Sequence, residues 1–148
     1  MIAAKAETGF ADDLVAVSRQ PALPGREAVV EAMAYQTRDA VEAMTSAAGV
    51  EVRDLRVDGG ASVMDAMLQM QADQLGVPVR RPADQETTAL GAAFLAGLAE
   101  GVWPSLDAIA AEWQQDAVFE PEPDRTIADL GHATWLRAVE RSRHWEHA

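Results

Sequence analysis

The feature that most constrains the fold is a short apolar strand that runs into two glycines and then at once into an amphipathic helix. Residues 53–57 form the strand, Asp58 follows, and Gly59 and Gly60 lead into the helix. Glycine has no Cβ, so the chain can turn sharply and a ligand can approach the main chain. The first amides of a helix lack intrahelical partners and can bind phosphate. The pattern therefore indicates either a nucleotide-binding turn or an ordinary strand–helix connection.

Composition limits the classes of partner. The chain has 148 residues, enough for one domain with a modest core, and a net charge of −12. An acidic surface repels nucleic acid and anionic membranes, so we expect neither as a partner. The absence of cysteine excludes disulfides and thiolate chemistry and agrees with a cytoplasmic protein. The N-terminus lacks the continuous apolar core of a signal peptide, and no run reaches the roughly 18 apolar residues of a membrane span.

Apolar periodicity and turn residues predict an alternation of helices and strands. The order is helix 26–48, strand 53–57, helix 62–75, strand 77–80, and then helices 86–100, 105–113 and 131–146. Ser62 and Asp65 have capping-box spacing, and Pro78 favours an edge position for the second strand. Two strands are too few for an independent sheet, so the chain is predicted to be one side of a larger α/β lobe.

The helix 86–100 is rich in small residues. Each interior glycine costs a helix roughly 1 kcal/mol, which a helix tolerates when another backbone must come close. Either Thr87 or Thr88 could cap the helix, with Glu86 complementing its dipole. Gly91 could allow the helix to pack beneath the glycine pair, or it could serve plain helix packing.

Four segments carry a resemblance to a known family. They are Ala-Tyr-Gln-Thr-Arg-Asp (34–39), Leu-Arg-Val-Asp-Gly-Gly-Ala (55–61), the stretch 81–99 beginning Arg-Pro-Ala-Asp-Gln-Glu-Thr-Thr, and Gly-Val-Trp (101–103). In this order and spacing they resemble the C-terminal part of glycerol kinases, in the FGGY family of carbohydrate kinases. The resemblance covers about residues 26–148, the C-terminal portion of the second domain, whereas residues 1–25 are an unmatched segment or linker. It implies a partial actin/hexokinase-like (ribonuclease H-like) ATPase lobe, an α/β fold that is helix-rich with few strands.

The resemblance also implies a reaction and a nucleotide site. The parent reaction converts ATP and glycerol to ADP and glycerol 3-phosphate, with Mg²⁺ bound by the full enzyme. Gly59, Gly60 and Ala61 would lie against the nucleotide. Met64 stands where many glycerol kinases have an asparagine that meets the adenine. Methionine can pack on the purine through its thioether but lacks the donors and acceptors of an amide.

The residues that would perform phosphoryl transfer are missing from this pattern. In the family the catalytic aspartate, the glycerol contacts and the first phosphate loop lie upstream, so we predict no catalytic residue, no Mg²⁺ ligand and no activity of the chain alone. A separate N-terminal kinase lobe is one expected partner, and a second copy of the chain is another. The abrupt departure of residues 1–25 suggests a truncated gene, a frameshifted start or a split enzyme. The alternatives are a stand-alone, non-catalytic nucleotide-binding or interaction module and a non-functional remnant.

The remaining polar and aromatic residues are interpreted as structural. Arg38 and Asp39 are expected on the polar face of a core helix, with an interlobe network as the alternative. The histidines are predicted to be solvated and not to bind a metal; they are His132, His144 and His147. The tryptophans are predicted to be packing anchors; they are Trp103, Trp113, Trp135 and Trp145.

Overall fold

The structure is a computed structural model, and it describes residues 25–143. Five helices and three strands follow one another along the chain. Their bounds are α1 Gly25–Ala48, β1 Leu55–Arg56, α2 Asp65–Leu75, β2 Val79–Pro82, α3 Thr87–Ala99, α4 Leu106–Ala111, β3 Gln115–Phe119 and α5 Thr126–Ser142. A single 3₁₀ turn, Gly60–Val63, lies between β1 and α2. The helix-rich α/β fold predicted from the sequence is confirmed.

The three strands form one mixed sheet in the order β1-β2-β3. β1 runs parallel to β2, with Leu55 opposite Val79, and β2 runs antiparallel to β3, with Val79 opposite Phe119. β2 is therefore the central strand, and the predicted edge position was wrong. The reason is that Pro78 precedes the strand, where its missing amide removes no ladder bond, and its carbonyl accepts a hydrogen bond from the Leu55 amide at 2.9 Å.

The core lies between α2 and the sheet, and α1 packs on α2 beside it. Apart from Ala34 on α1, which is fully buried, the buried apolar side chains belong to one cluster from α2 and β2, and six partly buried residues pack around that cluster. The buried set is Met67, Leu68, Ala72 and Val79, and the surrounding set is Val30, Met33, Leu55, Val57, Ala61 and Phe119. Only the first half of α1 contributes to this core, through Val30 and Met33, since Met44 near its end is exposed. One strand–helix–strand unit thus supplies most of the hydrophobic stabilisation.

Helix α5 packs on α1 through a polar cluster. Asp39 accepts hydrogen bonds from His132 at 2.7 Å and from Trp135 at 2.8 Å. Tyr35 stacks on Trp135 with 5.7 Å between ring centroids. Burial of the Asp39 carboxylate opposes its ionisation, but the bonds from Trp135 and His132 and the charges of His132 and Arg38 lower its pKa below the usual value. Arg38 and Asp39 therefore form the polar face of a packed helix, as expected.

His132 is 5% exposed, so the prediction of a solvated histidine was wrong. The physical reason is that α5 packs on α1 at this point, so that His132 lies against Tyr35 and forms its 2.7 Å hydrogen bond with the Asp39 carboxylate. His144, His147 and Trp145 lie outside the described residues. Among the helices that the structure describes, each is too short or too polar to cross a membrane.

Helices α3 and α4 lie beside the sheet with no buried residue in either. Trp103, in the loop between them, meets Phe94 edge-on at 5.5 Å. Arg56 of β1 lies over the Trp113 ring at 4.6 Å. Together with Trp135 on α5, these tryptophans act as packing anchors, as predicted. Ser105 caps α4 by accepting a hydrogen bond from the Ala108 amide at 3.1 Å.

Candidate functional site

The candidate site is the glycine turn, which we define as Asp58–Ala61. Gly59 has φ 78° and ψ 179°, a backbone conformation that is essentially restricted to glycine. The chain then makes its 3₁₀ turn, and α2 begins only at Asp65. The predicted capping box was therefore wrong: Ser62 is buried inside the 3₁₀ turn, where its hydroxyl donates to the Gly59 carbonyl at 2.7 Å.

The loop between β2 and α3 holds the glycine turn in place. The Gly59 amide donates to the Gln85 carbonyl at 3.1 Å. The Thr87 hydroxyl donates to the Asp58 carboxylate. Neither predicted threonine cap forms, because Glu86 occupies the N-cap position of α3 without a side-chain hydrogen bond. Thr87 instead ties the first turn of α3 to Asp58, which sequence reasoning did not anticipate.

Arg81 holds the other side of the 3₁₀ turn in place through hydrogen bonds. Its side chain is 13% exposed and donates to the Ser62 carbonyl at 3.0 Å, to Asp65 at 2.7 Å and to Asp116 at 2.7 Å. The hydrogen bond to Asp65 raises the pKa of Arg81 above its usual value, with burial opposing it and Asp116 adding to it. One guanidinium thus joins the 3₁₀ turn, the first turn of α2 and β3. Sequence reasoning missed this role, although Arg81 lies on the same face of β2 as the buried Val79.

The outer face of the glycine turn is open. Gly60 is exposed, and a Cβ placed on it would meet no atom within 4 Å. Within residues 25–143, the amides of Gly60 and Ala61 have no hydrogen-bond acceptor. Two adjacent free amides held by a rigid turn can donate to an anionic or hydroxyl oxygen of a ligand.

Met64 follows the 3₁₀ turn at the N-cap of α2 and is 38% exposed. Its amide donates to the Ala61 carbonyl at 3.2 Å, and its carbonyl accepts from the amides of Met67 and Leu68. Its main chain is thus engaged internally, which leaves the thioether as its available contact. The structure brings all four predicted nucleotide residues into one continuous segment, from Gly59 to Met64; their contact with a nucleotide stays a prediction.

The arrangement is suited to binding more than to acid–base chemistry. Asp58 is the carboxylate of the glycine turn, and the Thr87 hydroxyl already occupies one of its oxygens. Among the described residues, no group of three histidines or carboxylates is placed to hold a metal ion.

Comparison with known proteins gives one consistent family. Residues 24–100 match the sequence model of the FGGY family of carbohydrate kinases, C-terminal domain. The glycerol kinase of Deinococcus radiodurans is 55% identical over 119 residues, which are 80% of this chain and 24% of that kinase. Glycerol kinase 2 of Thermotoga maritima is 52% identical over the same length and spans the same shares.

Solved structures agree with the sequence comparison. The crystal structure of Plasmodium falciparum glycerol kinase with ADP superposes with a TM-score of 0.69 and 34% identity, over 79% of this chain and 24% of that one. A xylulose kinase from Lactobacillus acidophilus gives a TM-score of 0.69 at 22% identity, over 82% of this chain and 25% of that one, and shares the fold. The chain spans about a quarter of the length of each of these relatives.

Proposed function

Because the chain belongs to the FGGY family of carbohydrate kinases, we propose that its glycine turn forms part of the nucleotide-binding surface of a glycerol kinase-like enzyme. The parent reaction transfers the terminal phosphoryl group of ATP to glycerol and yields ADP and glycerol 3-phosphate. The observation that carries the proposal is the pair of adjacent amides at Gly60 and Ala61, which have no hydrogen-bond acceptor within residues 25–143 and lie on a turn fixed from both sides.

Several findings support a nucleotide as the ligand. Phosphate and ribose oxygens accept hydrogen bonds from amides at the start of a helix, and the bare α-carbon of Gly60 lets them come close. The relative from P. falciparum, which shares this fold, was crystallised with ADP. Glycerol is the proposed acceptor because curated glycerol kinases match the chain at about half identity.

The chain's own part in the reaction is to bind and orient. The amides of Gly60 and Ala61 would hold phosphate or ribose oxygens, and Met64 would pack its thioether on the base without hydrogen-bonding it. Phosphoryl transfer also needs a group that orients the attacking hydroxyl and a cation that neutralises charge. We assign neither to residues 25–143, so the chain alone is expected to bind ADP and not to phosphorylate glycerol. ATP as the substrate and a cysteine-free composition support a cytoplasmic location.

Calorimetric titration of the full chain with ADP tests this proposal. Gly60→Trp should abolish binding while the fold is kept, because the side chain enters open space at a position without a positive φ. Ala133→Trp, at an exposed position on α5, is the matched control and should bind ADP as the parent does. Equal ADP affinity in the Gly60→Trp chain, or no ADP binding by the folded parent chain, would contradict the proposal.

A further inference from the structure

Two apolar side chains reach solvent directly after the free amides of the glycine turn. Val63, the last residue of the 3₁₀ turn, is 56% exposed, and the neighbouring Met64 side chain is exposed as well. They follow Gly60 and Ala61, whose amides have no acceptor within residues 25–143. A nucleotide whose phosphate or ribose oxygens bind these amides would therefore bring its base to a surface that offers apolar contact.

The polar side chains of the same segment already have partners inside the fold. Ser62 is buried, and its hydroxyl donates to the Gly59 carbonyl at 2.7 Å. The carboxylate of Asp65 is an acceptor only, and Arg81 donates to it at 2.7 Å. Within the described residues 60–65, no side chain therefore keeps a free hydrogen-bond donor for the edge of a base.

The nucleobases differ at their edges and resemble one another at their faces. Adenine carries an amino donor at the position where guanine carries a carbonyl acceptor, so a site that separates them must pair with that edge. A thioether has no donor and is only a weak acceptor. It packs on the face of a ring, and every base has such a face.

We propose that Met64 makes the nucleotide site of this chain tolerant of the purine base, so that guanine nucleotides bind as well as adenine nucleotides do. This rests on the proposed function, since it requires Gly60 and Ala61 to hold the phosphate or ribose. The substrate class is then a purine nucleoside phosphate, recognised by its sugar and phosphates and by the area of its ring system. Pyrimidine nucleotides bind less tightly, because one ring covers less of the thioether than two.

Two nearby side chains would give a different result if they contacted the base. The Asp65 carboxylate would favour guanine, which presents donors at N1 and at its N2 amino group. Gln85, whose carbonyl accepts a hydrogen bond from the Gly59 amide, carries a side-chain amide that can pair with adenine. Each alternative predicts a definite preference between the two purines, whereas stacking on Met64 predicts none.

Calorimetric titration of the full chain with ADP, GDP and UDP separates these cases. The dissociation constants for ADP and GDP should agree within about fivefold, and that for UDP should be higher than both. Met64→Asn adds an amide that can pair with adenine, and it should raise the preference for ADP over GDP by about fivefold or more. Asparagine is also a favoured N-cap residue, so α2 should be kept in this variant.

Met44→Asn is the matched control, because Met44 is an exposed methionine near the end of α1. It should keep the ratio of ADP to GDP affinity of the parent, and the circular dichroism of both variants should match the parent. A preference of the parent chain for either purine by more than about fivefold would overturn base tolerance, and its loss in Gln85→Ala would assign the selection to Gln85.

A smaller change of the ratio in Met64→Asn, or an equal change in Met44→Asn, would overturn the role of Met64. In each of these cases ADP still binds, so the proposed function stands. Binding of none of the three nucleotides to the folded parent chain would instead overturn the proposed function and base tolerance together.

Discussion

Arg81 offers the sharpest test of how the glycine turn is held. Replacing it by methionine keeps an apolar stem against Phe119, which lies 5.6 Å from the guanidinium, and removes the three donor contacts. The bond to the Ser62 carbonyl is made by a charged donor in a mostly buried place and contributes about 1.5–2 kcal/mol. The carboxylates of Asp65 and Asp116 are largely exposed, so water hydrates them once the guanidinium is removed. The ion pair of Arg81 with each carboxylate therefore contributes about 0.5 kcal/mol.

The expected loss is therefore about 2–3 kcal/mol in the free energy of unfolding. In a chain of this size that corresponds to a fall in Tm of roughly 10 °C. Urea unfolding followed by tryptophan fluorescence measures the loss directly. Arg81→Lys, which keeps the charge but not the forked donors, should lose about half as much. Arg137→Met removes an exposed arginine whose contact is a bond to Thr134, and should change stability by less than about 0.5 kcal/mol. A loss below about 0.5 kcal/mol for Arg81→Met would refute the reasoning.

Three further substitutions test other parts of the account. Leu68→Ala leaves a cavity at a fully buried position and should lower the free energy of unfolding, measured by urea titration, by about 3 kcal/mol. A loss under about 1 kcal/mol would contradict the assigned core. Thr87→Val removes the hydrogen bond to Asp58. It should weaken ADP binding several-fold with little change in stability, as measured by calorimetry. An unchanged ADP affinity would show that this bond does not support the glycine turn. Folding lowers the pKa of Asp39, so its contribution is present above the unfolded value of about 4 and is lost as the pH falls through the folded value. Asp39→Asn should therefore make unfolding less dependent on pH below about 4, and an identical pH profile would disprove the assignment.

The sequence was most informative where local chemistry determines structure. Apolar periodicity and turn residues located α1 to within one residue of its bounds. The predicted end of α2 at residue 75 is also confirmed, where Gly76 follows with φ 70°. The glycine turn was found because positive φ and an open approach both demand glycine. These features depend on neighbouring residues alone, which is why one sequence suffices to find them.

Features that depend on distant partners were missed or misplaced. β3 has a polar first half, Gln115 and Asp116, and becomes a strand by pairing with β2. The burial of His132 depends on Asp39, 93 residues away in sequence. The Ser62 capping role failed because the 3₁₀ turn takes up that hydroxyl, and Arg81 supplies the contact with Asp65 instead. Propensity and spacing cannot report such pairings.

The free amides of Gly60 and Ala61 are the central claim, and a ¹⁵N-resolved NMR titration of the full chain with ADP tests them most directly. The account predicts that these two amide signals move first and furthest, with smaller shifts at Met64 and Thr87 and none on α5. Shifts centred elsewhere, or no shift at the Gly60 and Ala61 amides at saturating ADP, would contradict it.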